Sequence, residues 1–315
     1  IGETRLELIL RSAIKVRYRM GCKVLTKEQT QHFIDKGHIV ISQAFPKDLA
    51  AEWREFAFKR LGYNPDDSST WQEERIHMPS INSVPIQSVS PYTYDVICDL
   101  LGGQNRLANP NLHWRDGFII NFSAGADREW QPPSSSVGGW HKDGDFFRHF
   151  LDSPEQGLLT IVIWSDIQPQ SGGTFVACDS VKHIAKHLLG NPQGLLPHEA
   201  GFGQFVHNCQ DFIEITGQAG DVVLVHPFVL HAGSQNPSGR ARFIANPPVA
   251  LKEPMNFNRK VADEFSPVEL AILEGLEVDR LDFQPTAPRQ RIVPDRVKHE
   301  QKILEEQKAR LARSQ

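Results

Sequence analysis

Between residues 111 and 250 the chain breaks into short runs of β-branched and aromatic residues separated by Gly, Pro and Asn, a texture that limits the fold more than any other feature. The runs fall at 117–123, 158–165, 173–178, 212–216, 221–226 and 242–245. Several short segments punctuated in this way read as the strands of an all-β sandwich or barrel. A helical pattern at 181–189, followed by Gly and Pro, interrupts the β region over 180–211. The expected fold class is mostly β with flanking helices.

Helical signals lie on either side. Thr26 with Gln29 three residues on has the form of a capping box, and Gly37 that of a C-cap, which predicts a helix through Phe33 and Ile34. HIVISQ at 38–43 predicts a strand, and Pro46 begins a second helix through Leu49, Trp53, Phe56 and Ala57 to near Gly62. Residues 63–82 are polar, carry Pro65 and Pro79, and read as a loop or insertion; residues 91–101 read as a helix stopped by Gly102–Gly103. Leu6, Ile9, Leu10 and Ile14 stand at helical spacing in the first 25 residues. Residues 246–290 are Pro-rich and irregular, except for a helix at 266–276 opened by Ser266–Pro267. The tail, 294–315, reads as a charged helix, solvated or docked to a partner. The expected organisation is one domain over 1–315: support at 1–110, the β core at 111–250 and an extension at 251–315.

Composition excludes some functions. With 315 residues and a net charge of -4, the chain has no global basic field for nucleic acid. No apolar run approaches the roughly 20 residues of a membrane span. Cys22, Cys98, Cys178 and Cys209 lie far apart without a CxxC pair, against a zinc cluster or disulfide scaffold. They fit a reducing, cytoplasmic location. The chain opens at Ile1 rather than Met, so a trimmed N-terminus is expected and targeting stays open.

The chemistry concentrates in two stretches. In Trp140–His141–Lys142–Asp143, His141 and Asp143 stand two apart and so share a face of an extended strand. DVVLVHPFVLHAGSQNPSGRAR supplies His226 and His231, then Arg240 and Arg242. Two imidazoles and one carboxylate are the facial triad of non-heme Fe(II) oxygenases. Three ligands on one face leave three positions open, two for a chelating 2-oxo acid and one for O2. A dicarboxylic 2-oxo acid also has a distal carboxylate, which an Arg fork matches bidentately. The bland alternative is a solvated His141–Asp143 pair and a packed His231. HxD alone is common by chance; HxD in a β-rich region, followed by a strand-borne His and then an Arg, is specific.

HKDGDFF, IVIWSDIQPQSGGTF and GDVVLVHPFVLHAGSQNPSGRAR, with the entry segment TKEQTQHFIDKGHIVISQAF, resemble the phytanoyl-CoA dioxygenase family of Fe(II)/2-oxoglutarate oxygenases over about residues 25–250. The resemblance implies a double-stranded β-helix (a jelly-roll, cupin-like core) flanked by helices. It implies Fe(II), 2-oxoglutarate and O2, with His141, Asp143 and His231 as metal ligands. His231 is the second His of the HPxxxH run, and Arg242 takes the place of the cosubstrate arginine. Trp164 matches a family Trp near the cosubstrate; Thr160 shares its parity, and Asn121 is placed to hydrogen-bond the same molecule. Gly233 and Ser234 would admit backbone close to it, and His183 would serve a hydrogen-bonding role. Asp143 disfavours a halogenase, since the related halogenases lack that carboxylate.

Substrate contacts are expected from mouth loops: Arg75, His77, Met78, Trp130, Lys142, Phe146, Phe147 and Arg148. Phe146–Phe147 would line an apolar pocket, and Arg75, Lys142 and Arg148 would form a basic rim for an acyl-CoA. The expected reaction is oxidation of a small organic molecule, most simply hydroxylation, with release of succinate and CO2. Rivals are a catalytically silent jelly-roll binding protein and a Zn2+-dependent hydrolase or isomerase. Residues 1–25 and the C-terminal helix are candidate homodimer elements.

Overall fold

Helix α1 (Lys27–Lys36) forms where its caps stand. Thr26 Oγ1 accepts from the Gln29 amide, the Gln29 side chain accepts from the Thr26 amide, and Gly37 closes the helix. These are among the first residues of the computed structural model, which describes residues 23–313. The helical pattern at Leu6–Ile14 lies outside them. Strand β1 (His38–Ile41) and helix α2 (Lys47–Leu61) follow, then β2 (Arg75–His77), β3 (Ser83–Pro85), α3 (Ile86–Val89) and α4 (Pro91–Leu101). The β core runs from β4 (His113–Arg115) and β5 (Ile119–Asn121) through β6 (Leu158–Ile163) and β7 (Thr174–Ala177). After α5 (Val181–Leu189) come β8 (Phe212–Ile215), β9 (Val222–Val225), β10 (Leu230–Gly233), β11 (Arg242–Ala245) and β12 (Pro248–Val249). Helices α6 (Pro267–Gly275) and α7 (Arg296–Arg313) complete the described chain.

The larger sheet has the order β1-β9-β6-β11-β5-β2, with β12 also on β6; the smaller has β10-β7-β8, and β3 pairs with β4. An isolated antiparallel bridge between His141 and His231 extends the smaller sheet beyond β10. The chain therefore visits the sheets alternately: β5 large, His141 small, β6 large, β7 and β8 small, β9 large, β10 small, β11 large. This winding is the double-stranded β-helix, and neither sheet closes on itself.

Alternation along the strands sorts side chains between two layers. Facing the smaller sheet are Ile161 and Ile163 on β6, Val223 on β9, Ile244 and Arg242 on β11, and Asn121 on β5, all on one face by register. The other face carries Trp164, Phe118, Phe122 and Phe243, which pack against the α2 region. Ring centroids stand 4.7 Å apart for Trp53–Trp164 and Phe45–Trp164, and 5.4 Å for Phe58–Phe243. Each such ring taken from water contributes about 1.5–3 kcal/mol, so this layer anchors the N-terminal helices to the sheet.

Two segments depart from expectation. Residues 63–82 are not wholly loop: β2 joins the edge of the large sheet, with Arg75 paired to Asn121. Helix α7 is not a purely solvated tail, because Gln307 is buried and its Oε1 accepts from Nε and NH2 of Arg60 at 3.0 and 2.7 Å. Arg60 in turn pairs with Asp116 at 3.1 Å, both side chains inaccessible to solvent. No helix of the described residues is long and apolar enough to cross a membrane.

Candidate functional site

The bridge between His141 and His231 is reciprocal, each amide donating to the other's carbonyl at 3.0 Å. Directly paired residues project to one side of a sheet, so the two imidazoles lie together, with ring centroids 4.4 Å apart. Asp143, two residues beyond His141, brings Oδ1 to 3.4 Å from Nε2 of His141 and 3.5 Å from Nε2 of His231. The Nδ1 atoms are engaged by carbonyls two residues back, Gly139 at 2.8 Å and Val229 at 3.3 Å, which turns both Nε2 atoms toward the carboxylate. The other carboxylate oxygen, Oδ2, accepts from Nδ2 of Asn246 at 2.8 Å. Metal ligands at about 2.1 Å and right angles stand about 3 Å apart, so this donor set fits one ion with little movement.

The local backbone explains the placement. Gly144 follows Asp143 with φ at 123°, and a Cβ there would meet the rings of Phe147 and His149 at 2.6 and 2.7 Å. The chain then turns into a strap from the C-terminal extension: the Arg148 amide donates to Gln290, the Ile292 amide to Phe146, and Arg296 forks onto both oxygens of Asp145 at 2.6 and 3.0 Å. Enclosure by the fold opposes protonation of His141, but Asp143 and the Gly139 carbonyl outweigh it and raise its pKa. Burial alone would raise Asp143; the neighbouring imidazoles of His231 and His141 instead hold it well below the usual carboxylate range.

Across the site, Arg75, Asn121 and Arg242 are direct cross-strand partners on β2, β5 and β11 and share the face toward the smaller sheet. Arg242 is 3% exposed. Its Nε donates to the Gly172 carbonyl at 2.7 Å and NH1 to the Ile119 carbonyl at 3.2 Å. Among the described residues no carboxylate pairs with it. Burial, and then the like charge of Arg75, pulls its pKa down to about 9, so it remains a cation at neutral pH. A buried cation without a counter-ion is costly, and an anionic ligand relieves that cost. Arg75 reaches toward the smaller sheet at Gly233, where a Cβ would stand 2.9 Å from its NH2. Asn121 is used as a brace: Nδ2 donates to the Ser234 carbonyl at 3.0 Å and Oδ1 accepts from the Ala124 amide at 2.9 Å.

Several expected members lie elsewhere. Thr160 and Trp164 are on the opposite face of the large sheet from Arg242. Thr160 Oγ1 donates to the Pro247 carbonyl at 2.8 Å, and Trp164 stacks on Trp53. The register is the cause, since Ile244 pairs with Ile163 and so sets Ser165, not Trp164, beside Arg242. Lys142 is not at the mouth. Its neighbours His141 and Asp143 point one way and it points the other, into a buried cage of Phe147, Phe202 and Phe228 with Nζ 5.4–5.8 Å from the ring centres. There Nζ donates to the Asp143 carbonyl at 3.0 Å and meets Nδ1 of His149 at 3.1 Å. Burial lowers Lys142 to about 7, and burial with the Lys142 charge lowers His149 to about 2.

Phe147 and Met78 are core residues rather than pocket lining, at 0% and 5% exposure. Phe146 is half-buried under the strap. Arg148 bonds to the Gln193 carbonyl and to Gln290. Arg75, Lys142 and Arg148 therefore form no common basic rim. His77 is exposed and shares the face of Arg75. Trp130 packs on Phe175.

His226 is fully engaged away from the triad: Nδ1 accepts from the Phe228 amide at 3.0 Å and Nε2 meets the Val268 carbonyl at 3.2 Å. Arg240 lies in the exposed turn before β11. Asn246 escaped sequence reasoning altogether. Nothing in IANPP marks it, because its contact arises only when the chain leaves β11 beside the HxD loop.

No protein-family model matches the chain, and no curated protein matches it. Solved structures do. The non-heme alpha ketoglutarate dependent carbocyclase SnoK from nogalamycin biosynthesis is similar at TM-score 0.44 and 15% identity, over 72% of this chain and 84% of that one. HygX from Streptomyces hygroscopicus, with nickel, 2-oxoglutarate and hygromycin B bound, is similar at 0.36 and 15%, over 70% and 86%. EctD from S. alaskensis, with 2-oxoglutarate and 5-hydroxyectoine, is similar at 0.37 and 16%, over 74% and 78%. At these scores and identities, the reading of the site rests on its own geometry.

Proposed function

We propose that this chain is an Fe(II)- and 2-oxoglutarate-dependent oxygenase of the phytanoyl-CoA dioxygenase type, acting on a small organic molecule. One observation carries the reading: a His–Asp–His set converging on a single point, opposite a buried arginine that lacks a counter-ion among the described residues. His141, Asp143 and His231 would hold the ion through Nε2, a carboxylate oxygen and Nε2. A bound Fe(II) would supply O2 activation coupled to decarboxylation of 2-oxoglutarate to succinate and CO2.

The chain's own residues do the rest. Asn246 fixes which carboxylate oxygen faces the imidazoles. The carbonyls of Gly139 and Val229 fix the ring orientations. Arg242 neutralises the distal carboxylate of the cosubstrate and thereby orients its 2-oxo acid end toward the triad. Arg75, on the same face and open to solvent, offers a second positive charge at the mouth. The buried aliphatic floor of Ile161, Ile163, Val223 and Ile244 excludes water from behind the site.

The test is anaerobic. Metal-depleted protein is given Fe(II) and 2-oxoglutarate, and the visible charge-transfer band of the chelate is followed in wild type, Asp143→Ala and Arg242→Ala. A band in wild type that is lost or weakened in the variants supports the reading. A folded wild type with no band overturns it.

A further inference from the structure

Asp179, His183 and Cys209 bring a carboxylate oxygen, an imidazole nitrogen and a sulfur within 4.8 Å of one another, away from the triad. The three arrive from separate segments. Asp179 follows β7, His183 sits in the first turn of α5, and Cys209 closes the 3-10 turn Phe202–Asn208. The cluster is held in place by its surroundings. Asp179 Oδ2 accepts from the Gln210 amide at 3.1 Å, and Lys182 Nζ stands 3.8 Å from the same oxygen. Cys209 Sγ lies 3.6 Å from the Phe205 carbonyl.

Nε2 of His183 is buried and has no hydrogen-bond partner among the described residues. A buried ring nitrogen left in that state loses its hydration without compensation. A metal ion bound there would supply the missing partner.

The geometry points to Asp179, His183 and Cys209 as a second metal site, taking a thiolate-binding ion of the Zn(II) class with water as its fourth ligand. Carboxylate, imidazole and thiolate are the three side-chain types that Zn(II) accepts in tetrahedral sites, and the thiolate selects against Mg(II) and Ca(II). A nucleophilic role for the same Cys–His–Asp group is disfavoured because Cys209 is only 5% exposed, out of reach of a substrate. Metal binding would release the thiol proton and displace the exposed Lys182 ammonium from Asp179.

Such a site has a structural consequence. It would tie the 3-10 turn to the start of α5, and that turn packs at Gly203 directly against the Trp140 carbonyl, one residue before His141. An ion there stiffens the wall behind the His141 bridge.

Cobalt substitution tests the proposal on the full chain. A thiolate-to-cobalt charge-transfer band in the near ultraviolet reports a sulfur ligand, which the His141–Asp143–His231 set lacks, and its loss in Cys209→Ser assigns it to this site. Two or more equivalents of Co(II), enough to fill both candidate groups, added to metal-depleted protein are expected to give the band in wild type and in Asp143→Ala, with Zn(II) bleaching it by displacement. The band is expected to be lost in Cys209→Ser and in His183→Ala. A folded wild type without the band, or a band that survives Cys209→Ser, overturns the proposal. Where Cys209→Ser fails to fold, alkylation of Cys209 in the apo protein located by peptide mapping, and its protection by Co(II), take the place of the variant; absence of that protection overturns the proposal.

Discussion

Asn246 donates to one oxygen of Asp143 at 2.8 Å and leaves the other facing both His141 and His231. Groups that orient a ligand in this way are worth about 10–100-fold in metal affinity. Asn246→Ala is therefore expected to weaken Fe(II) or Ni(II) binding by about that factor, with an unchanged far-ultraviolet dichroism spectrum. Calorimetric metal titration of the two proteins measures the difference. Equal affinities would remove Asn246 from the site.

Arg242 is expected to separate stability from ligand response. Replacing the buried guanidinium by an apolar chain removes its desolvation cost and also the donors to the Gly172 and Ile119 carbonyls, two opposing effects, so Arg242→Met should unfold within about 1–3 kcal/mol of wild type without ligand. Losing the charge partner of a buried carboxylate should lower 2-oxoglutarate affinity by about 2–5 kcal/mol. Thermal melts in the presence of Ni(II), with and without 2-oxoglutarate, check both: the cosubstrate raises the Tm of wild type and leaves that of Arg242→Met unmoved.

Stability should fall in acid through His226. Burial lowers its pKa to about 3, and its Nδ1 already accepts the Phe228 amide, so a proton there breaks that bond. Unfolded, the imidazole titrates near 6.5. Between those values the unfolded state holds the extra proton, so the contribution is complete above about 6.5 and is lost as pH drops toward 3. Denaturant midpoints across that range should decline more steeply in wild type than in His226→Gln, which keeps a donor and an acceptor and does not titrate.

The Arg60–Asp116 pair is wholly buried, and Arg60 also holds Gln307 of α7. Asp116→Ala strands the guanidinium and is expected to destabilise the chain by about 3–5 kcal/mol. Gln307→Ala removes only a neutral acceptor and should lose about 1–3 kcal/mol. Urea unfolding of the two variants distinguishes them.

What the sequence made legible was local or periodic. The Thr26–Gln29 capping box, the Ser266 cap of α6 and the bounds of α5 and β11 depend on neighbours within a turn, and they stand where expected. The two-residue spacing of His141 and Asp143 likewise carried over into a shared side. Facing across strands was less accessible. The family resemblance places Trp164 near the cosubstrate, but a register set by Ile244 and Ile163 sends it to the helix layer. The three residues Arg75, Ile76 and His77 are too few to declare an edge strand, so the row Arg75–Asn121–Arg242 was invisible before the fold. Asp179, His183 and Cys209 have no ligand spacing in the chain, because three separated segments supply them.

The strap over the HxD loop also fixes an order of events during synthesis. Gln290, Ile292 and Arg296, which secure Phe146, Arg148 and Asp145, leave the ribosome about 150 residues after the loop they hold. The jelly-roll strands can pair before then, but the loop that follows Asp143 is clasped only after residues 290–296 have emerged. The loop beside the His141–Asp143–His231 set thus waits for its final shape on a segment that the jelly roll itself does not contain.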